Sequence, residues 1–361
     1  MEENVKRDYS LTGESAKRAV EVGLASAEWY HTEIPRKTMK SLMQRSDGPA
    51  LRDTAIWLGV LALSGAAGAF FWATWWCLPF FFAYGVLYGS ACDSRWHECG
   101  HGTPFKTRWM NDVVYHIASF MVMRNPVSWR WSHARHHTDT IIVGRDAEIS
   151  VMRPPDLYKL LLNFIGVLDV YESFKTLSKN AFGILTTDEV EFVPEMEKTK
   201  AVRAARVHLT IYGFVIALAV YFQTWIPLML VGLPRLYGCW HMSLTGVLQH
   251  AGLADNVIDH RLNSRTVYMN PISRFIYWNM NYHVEHHMFP MVPYHALPEL
   301  HKLIKHDLPA PNLSMWSAYK EVLPVLVKQL RYEDHYLKRE LPETAKPYLD
   351  HFHNLDVVAA E

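Results

Sequence analysis

The sequence predicts an all-α membrane protein: about four transmembrane helices, with a cytoplasmic helical cap holding a histidine-rich site for two metal ions. Three observations predict it. Residues 54–92 and residues 207–234 contain no Lys, Arg, Asp or Glu, and one helical crossing needs about 20 apolar residues. Thirteen Trp and eighteen Tyr suit the interfaces of a bilayer. Twenty histidines are the compositional oddity, and eight of them fall in three short boxes.

Composition sets the outer limits. Lys plus Arg and Asp plus Glu balance at 36 each, which disfavours nucleic acid as a partner. Cys77, Cys92, Cys99 and Cys239 form no C-x-x-C pair and no secreted disulfide pattern. The first ten residues are charged and lack the apolar core of a signal peptide. The chain divides into an N-terminal cytoplasmic segment (1–50), a membrane domain with the boxes (51–310) and a cytoplasmic C-terminal helix and tail (311–361).

Taken in order, residues 15–30 have helical character, Ile34-Pro35 breaks it, and residues 39–45 form a short basic helix. This lead-in reads as a solvated cap near the membrane surface. Residues 54–92 are long enough for two crossings with a turn near 75–79, where Trp72, Trp75 and Trp76 mark an interface. Residues 111–123 are apolar but too short to span, so an interfacial helix is expected. Residues 154–179 are amphipathic and fit either a membrane surface or a lid on the metal core. Residues 207–248 supply the third and fourth crossings, with a turn near 223–225. Arg235 and His241 in the fourth would face an interior cavity. A last helix is expected over 314–340. Lys and Arg concentrate in the N-terminal, central and C-terminal segments, all on one side of four crossings. The positive-inside rule makes that side cytoplasmic, and all three boxes lie on it.

The boxes are His97-Glu98-Cys99-Gly100-His101, His133-Ala134-Arg135-His136-His137 and His283-Val284-Glu285-His286-His287. Residues i, i+3 and i+4 share a helix face, so each box aims its imidazoles at one point. Imidazole suits zinc, copper, iron and nickel. Eight imidazoles exceed the four ligands of a closed zinc site, and two ions with four or five nitrogens each is the natural count. His250 leaves the fourth crossing on the same side and is a ninth candidate. Asp93, Asp139, Asp146, Glu285, Asn279 and Asn281 are candidates to orient the ligands from behind. His97-Glu98-Cys99-Gly100-His101 also spells the H-E-x-x-H of zinc proteases. The other two boxes overrule that reading, and membrane metalloprotease remains only a remote alternative.

The strings H-E-C-G-H, H-x-x-H-H and H-V-x-H-H-x-F-P, in this order on four expected crossings, resemble the integral-membrane fatty acid desaturase and hydroxylase superfamily. The resemblance spans residues 50–310. It implies a non-haem di-iron centre of two ferrous ions, molecular oxygen as co-substrate and electrons from an external donor. By that resemblance His97, His101, His133, His136, His137, His283, His286 and His287 are iron ligands. Leu248-Gln249-His250 resembles a further plant-type desaturase motif that adds His250. No His-Pro-Gly-Gly haem string is present, the third box opens on His283 rather than Gln, and Gly102 stands where plant-type enzymes often carry a second His. Segments around Ile34-Pro35-Arg36-Lys37 and Leu308-Pro309-Ala310-Pro311-Asn312 resemble a bacterial branch that includes a rhizopine-catabolism hydrocarbon oxygenase and dihydrorhizobitoxine desaturase.

The implied activity is an oxygen-dependent desaturase that introduces a double bond into an acyl chain or a small secondary metabolite. The alternatives are a membrane hydroxylase or monooxygenase of an alkyl group, and a metal-binding membrane protein without catalysis. No Gly-rich nucleotide motif is evident. The expected partners are therefore the lipid bilayer and a ferredoxin or similar electron-transfer protein with its NAD(P)H reductase. Arg130, Arg135 and Arg145 offer a basic docking patch. The expected location is a bacterial inner membrane, crossed several times, with the active site on the cytoplasmic face.

Overall fold

The structure, a computed structural model, describes residues 7–352. Among them every regular element is a helix, and the only bridges are the isolated pairs Thr266–Tyr282 and Val267–Asn312. Helices α1 (Glu14–Glu21) and α2 (Arg36–Leu42) precede α3 (Asp47–Phe70). The lead-in is not a solvated cap. Tyr30 and Leu42 pack with Val284, Met288, Leu297 and Leu300 beneath the third box. The Tyr30 amide donates to the Ile258 carbonyl (2.9 Å). The Tyr30 and Thr32 hydroxyls both donate to Asp307 at 2.6 Å.

Helix α3 has 24 residues and is therefore ~36 Å long, enough to span a bilayer. Its outward residues Leu51, Ile56, Val60, Leu63 and Phe70 are exposed, and its inward line is Ala50, Trp57, Ser64, Gly65 and Gly68. A β-carbon on Gly65 would lie 2.7 Å from the Tyr84 ring, so the small residue lets the next helix close in. That helix is α4 (Cys77–Gly89), reached through a turn at 71–76 with Trp75 and Trp76 exposed, as expected.

Helix α4 has only 13 residues, ~20 Å against a hydrocarbon core of ~30 Å. It breaks at Ser90 before α5 (Ala91–His101), which carries the first box. Arg235 takes the Gly89 carbonyl (Nη1 donating, 2.6 Å), and Ser90 Oγ donates to the Gly238 carbonyl at 2.6 Å. Then come α6 (Arg108–Met121), α7 (Pro126–Thr138), α8 (Leu157–Phe164), α9 (Val167–Ala181), α10 (Thr187–Phe192) and α11 (Lys198–Tyr221). The expected fourth crossing is split into α12 (Ile226–Leu230), α13 (Pro234–Tyr237) and α14 (Trp240–His250). Pro227 and Pro234 remove backbone donors, and Gly232 takes a left-handed φ of +94°.

Of the about four crossings expected, two stand as single long helices. Among the described residues two helical stretches, Arg36–Phe70 and Glu195–Tyr221, are long and apolar enough to cross a membrane. The other two apolar runs fold into shorter pieces. The reason is close packing that hydropathy does not record. A β-carbon on Gly238 would fall 1.8 Å from the Gly85 carbonyl oxygen, and one on Gly89 would fall 2.5 Å from the Pro234 carbonyl oxygen.

The chain ends through α15 (His260–Asn263), α16 (Pro271–Ile276), α17 (His283–Met288), α18 (Leu297–Ile304) and α19 (Met315–Gln329). Helix α19 is capped by Ser314 as expected but stops at Gln329, short of the expected 340. Arg95, fully buried, ties α5 to α16: its Nη1 donates to Ile276 O (2.7 Å) and its Nη2 to Phe275 O (3.1 Å). The guanidinium is stacked between the Trp57 and Trp278 rings, 5.1 Å from each centroid.

Candidate metal centre

Four elements deliver the nine expected histidines to one place. Helix α5 carries His97 and His101 one turn apart, and Gly102 ends it at φ +66°, a conformation that favours glycine. Nothing lies within 4 Å of a β-carbon built at Gly102, so it is the backbone conformation that disfavours a side chain there. Helix α7 starts on Asn125, whose Oδ1 accepts from the Val127 amide, with Pro126 in its first turn. It carries His133, His136 and His137. His250 ends α14, and α17, buried along its whole length, carries His283, His286 and His287.

The rings separate into two adjoining groups. His97, His101, His133, His137 and His286 gather their ligand nitrogens within 4.8 Å of one another, and so do His136, His250 and His287. His283 joins the second group, its Nε2 3.0 Å from both His250 Nε2 and His287 Nε2. The i and i+4 histidines of each box stay together, while His136 and His286 cross to the other group. In the first group His133 Nε2 lies 3.1 Å from both His101 Nε2 and His137 Nε2, and His286 Nε2 lies 3.2 Å from His137 Nε2.

The outer ring edges explain what these contacts are. His133 Nδ1 donates to Glu148 Oε2 (2.9 Å), His136 Nδ1 to Asp146 Oδ2 (2.8 Å) and His250 Nδ1 to the Asn263 carbonyl (2.7 Å). His287 Nδ1 donates to Thr140 Oγ1 (3.2 Å), whose own hydrogen goes to the His136 carbonyl. A neutral imidazole that donates from Nδ1 has only a lone pair at Nε2. The lone pairs so directed at His133, His250 and His287 each face a second ring nitrogen 3.0–3.1 Å away, a spacing at which the two nitrogens can share a cation. Metal–nitrogen bonds of ~2.0–2.1 Å set neighbouring ligands ~2.8–3.4 Å apart, from right-angle to tetrahedral geometry. The nitrogen spacing, with the tautomers of His133, His136, His250 and His287, therefore fits two metal ions. Burial pushes His101 down to about 4 and His250 down to about 3, so both are neutral near pH 7, as metal binding requires.

Of the carboxylates and amides expected behind the ligands, only Asp146 is there. Burial works against its charge, but His136 outweighs burial and holds the carboxyl below its ordinary value. Asp139 instead pairs with Arg145 (3.0 Å) and Arg135 (3.7 Å). Glu285 turns away to His301 and to the Thr266 hydroxyl (2.5 Å). Asn279 holds Arg274 and the Tyr294 carbonyl, and Asn281 donates to Val267 O (2.9 Å). Asp93 faces a cavity. Glu148, Thr140 and Asn263 were not anticipated, and the only sequence signal for Glu148 was its place just after the second box. Arg130 pairs with Asp112 (3.4 Å), so the three expected docking arginines all have carboxylate partners.

Glu98 decides how the first box should be read. Its Oε1 lies 3.5 Å from His97 Nδ1 and 3.4 Å from His286 Nδ1, behind the rings and away from the Nε2 cluster. A zinc-protease glutamate works on the ligand side as a general base, and Glu98 does not face that side. Burial pushes its carboxyl up to about 8.

A cavity of about 580 Å³ opens beside the histidines. His97, His133, His136, His250 and His283 line one wall, and α8, α9 and α10 form the opposite one. The amphipathic segment at 154–179 thus supplies part of the cavity wall that faces the histidines. Its outer residues Tyr158, Leu161, Ile165 and Tyr171 remain exposed.

The sequence pattern of one family, described as Fatty acid desaturase, matches residues 73–319, which hold all nine histidines. The chain belongs to the fatty acid desaturase family. A probable fatty acid desaturase of Sorghum bicolor is 26% identical over 297 residues, 75% of this chain and 73% of the relative. An Arabidopsis thaliana acyl-lipid omega-3 desaturase (cytochrome b5) of the endoplasmic reticulum is 24% identical, covering 76% of this chain and 74% of its own. A chloroplastic sn-2 acyl-lipid omega-3 desaturase (ferredoxin) from the same plant is 23% identical, covering 85% and 72%. The family makes this chain an oxidoreductase of the desaturase type.

Proposed function

We propose that this member of the family is an oxygen-dependent, di-iron membrane desaturase that introduces a double bond into a hydrocarbon chain. The observation that carries the reading is the pair of converging Nε2 clusters whose Nδ1 edges are held by Glu148, Asp146, Thr140 and the Asn263 carbonyl. His97, His101, His133, His137 and His286 would hold one ion, and His136, His250, His283 and His287 the other. Iron is favoured over zinc by the family and by a ligand count that two closed tetrahedral sites would not need. Two bound irons with molecular oxygen supply an oxidant able to remove two hydrogens from adjacent carbons, while two electrons and two protons allow the oxygen to leave as water.

The protein's own part is placement. Acceptors behind His133, His136, His250 and His287 hold those rings, and α8 and α9 stand across the cavity from the histidines, where they would limit water at the reacting carbons. Relatives named for cytochrome b5 and for ferredoxin support a small one-electron carrier as the donor. The two long apolar helices, with the turns at 71–76 and 222–225 remote from the boxes in sequence, support a multi-pass protein with its site on the cytoplasmic face. The polar lining of the cavity leaves room for a small secondary metabolite as well as an acyl chain.

The test is product mass. Membranes carrying the protein are supplied with a ferredoxin, its reductase, NAD(P)H and air, beside a His286→Ala control. A product lighter by two hydrogens, absent in the control, is expected. A product heavier by one oxygen would replace this reading with the hydroxylase.

A further inference from the structure

The two helices long enough to cross a bilayer begin in different electrostatic surroundings. At the start of α11, Lys198 and Lys200 pair with Glu195 (3.5 Å) and Glu197 (2.8 Å). At the start of α3 the cations lack such partners. Arg36, Lys37 and Lys40 on α2, and Arg45 just after it, precede the helix. Lys106 and Arg108 are brought to the same end by Asp47, which accepts from the Thr107 amide (2.9 Å) and the Thr107 hydroxyl (2.7 Å). None of these six side chains forms an ion pair among the described residues, and all but the half-buried Arg45 are exposed. The carboxylates close by are engaged. Asp53 takes Arg52 and the Tyr294 hydroxyl, both at 2.7 Å, and Asp112 takes Arg130 at 3.4 Å. Asp47 feels Lys106, but Thr107 already occupies both its oxygens.

An apolar surface adjoins this charge. Arg108 opens α6, whose outward side is the exposed stripe Trp109, Val113 and Ile117, at i, i+4 and i+8. Its other side, with Asn111, Val114, Tyr115 and Ala118, is buried. With 14 residues α6 is too short to span. A short helix with an apolar outer stripe and cations at its end lies in the plane of a bilayer, the stripe at the acyl boundary and the cations among the head groups. The stripe begins two residues after Thr107, and the exposed apolar residues of α3 begin at Leu51, four after Asp47. The Asp47–Thr107 bonds therefore set both apolar surfaces at one level. On α2, Met39 and Leu42 pack inward beneath the third box, while Arg36, Lys37 and Lys40 stay outside.

We propose that Arg45, Lys106 and Arg108, together with Arg36, Lys37 and Lys40 of α2, form a binding surface for anionic phospholipid head groups at the cytoplasmic end of α3. Guanidinium groups hold phosphate oxygens through paired N–H donors, and the lysines add an attraction that salt screens. A zwitterionic head group would bring its own ammonium into the excess of cations, so a net anionic lipid is preferred. An acidic electron carrier would meet the same charge, but the apolar stripe of α6 continuing onto α3 is a bilayer contact. The proposal rests on the reading of α3 and α11 as bilayer-spanning, and it assigns the lipid preference to the α3 end alone.

The test reconstitutes the full-length protein in phosphatidylcholine bilayers carrying a trace of spin-labelled phosphatidylglycerol or spin-labelled phosphatidylcholine. Electron paramagnetic resonance then measures the fraction of each label held at the protein surface. Phosphatidylglycerol is expected to be held about twofold or more over phosphatidylcholine, and the preference should vanish in ~1 M NaCl, where charges act over only ~3 Å. The combined variant Lys37→Gln, Lys40→Gln, Lys106→Gln and Arg108→Gln should lose most of the preference, whereas Lys198→Gln with Lys200→Gln should keep it. Equal retention of the two lipids by the unaltered protein, or a preference that survives in the combined variant, overturns the proposal. If the combined variant does not reconstitute, Lys106→Gln with Arg108→Gln takes its place, and an undiminished preference there overturns the proposal equally. A combined variant that keeps its lipid preference but needs more ferredoxin for the same turnover would assign the surface to the carrier instead. Lipid held without preference sinks this proposal alone, whereas no held lipid of either kind would sink the bilayer-spanning reading beneath it.

Discussion

Replacing Asp146 with Asn tests whether the two histidine groups are two separable metal sites. Asp146 is buried and accepts from His136 Nδ1 at 2.8 Å, from the Ile141 amide at 2.9 Å and from the Glu148 amide at 2.8 Å. Asn keeps the volume and one acceptor oxygen but removes the charge. A charge-assisted hydrogen bond is about twice as strong as a neutral one, and losing an orienting carboxylate costs ~10–100-fold in metal affinity. Because Asn retains an acceptor, the lower part of that range is expected, ~5–30-fold or ~1–2 kcal/mol. The loss should fall on the site of His136, His250, His283 and His287. Glu148→Gln, behind His133, should fall instead on the site of His97, His101, His133, His137 and His286. The assay is chelator competition with metal counted per chain, repeated in a His101→Ala background that cripples the first site. There Asp146→Asn should weaken the remaining metal and Glu148→Gln should not. Equal effects of the two variants in that background would refute the division into two sites.

The remaining predictions concern stability. Gly238→Ala should cost more than the ~1–3 kcal/mol of ordinary overpacking, because its β-carbon would land on Gly85 backbone 1.8 Å away; thermal unfolding in detergent, compared with Gly213→Ala, which meets nothing within 4 Å, measures it. Burial alone would raise the Asp307 carboxyl, but the Thr32 and Tyr30 hydroxyls, the Lys346 amide and the Arg261 guanidinium together outweigh it and hold it below its ordinary value. Its stabilising effect is therefore present above the unfolded value of ~4 and lost as pH falls through the lower folded value. Protection of the amides around Tyr30, taken as exchange relative to the intrinsic rate at each pH, should hold from neutral pH to about 5 and fall only below ~4. Asp307→Asn should cost ~1–3 kcal/mol at neutral pH, and an Asn variant with unchanged exchange would refute the docking role. Chelation should lower the unfolding temperature, since a ligand of the folded state alone stabilises it by mass action; a chelated protein that melts at the same temperature would argue against metal at the histidine groups.

How much of this was legible in the chain depends on which physical rule sets each feature. The boxes were readable because helical periodicity alone aims His133 and His137 together, and the fold brings together all nine expected histidines. The way His136 and His286 cross to the other group was not readable, because it depends on how α7 packs against α17. The turns at 71–76 and 222–225 followed from hydropathy. The interruption of α4 and α13 did not, since a hydropathy window treats Gly85, Gly89 and Gly238 as neutral spacers, whereas their missing β-carbons let two backbones touch. The Gly85-Val86-Leu87-Tyr88-Gly89 spacing is the small-residue pattern that could have signalled that contact. Tyr30 looked like part of a solvated lead-in because local composition carries no trace of a partner, Asp307, that lies 277 positions away.

The seating of Tyr30 and Thr32 against Ile258, Met288 and Asp307 also fixes an order of events during synthesis. These residues emerge early, yet every partner they need is made in the last third of the chain. The first box likewise waits for the third, since His286 completes the group begun by His97. Both long apolar helices are therefore translated before either metal-binding group has its full set of nitrogens. Neither group is complete until His286 and His287 have been made, and the N-terminal segment closes beneath the third box only after that box exists.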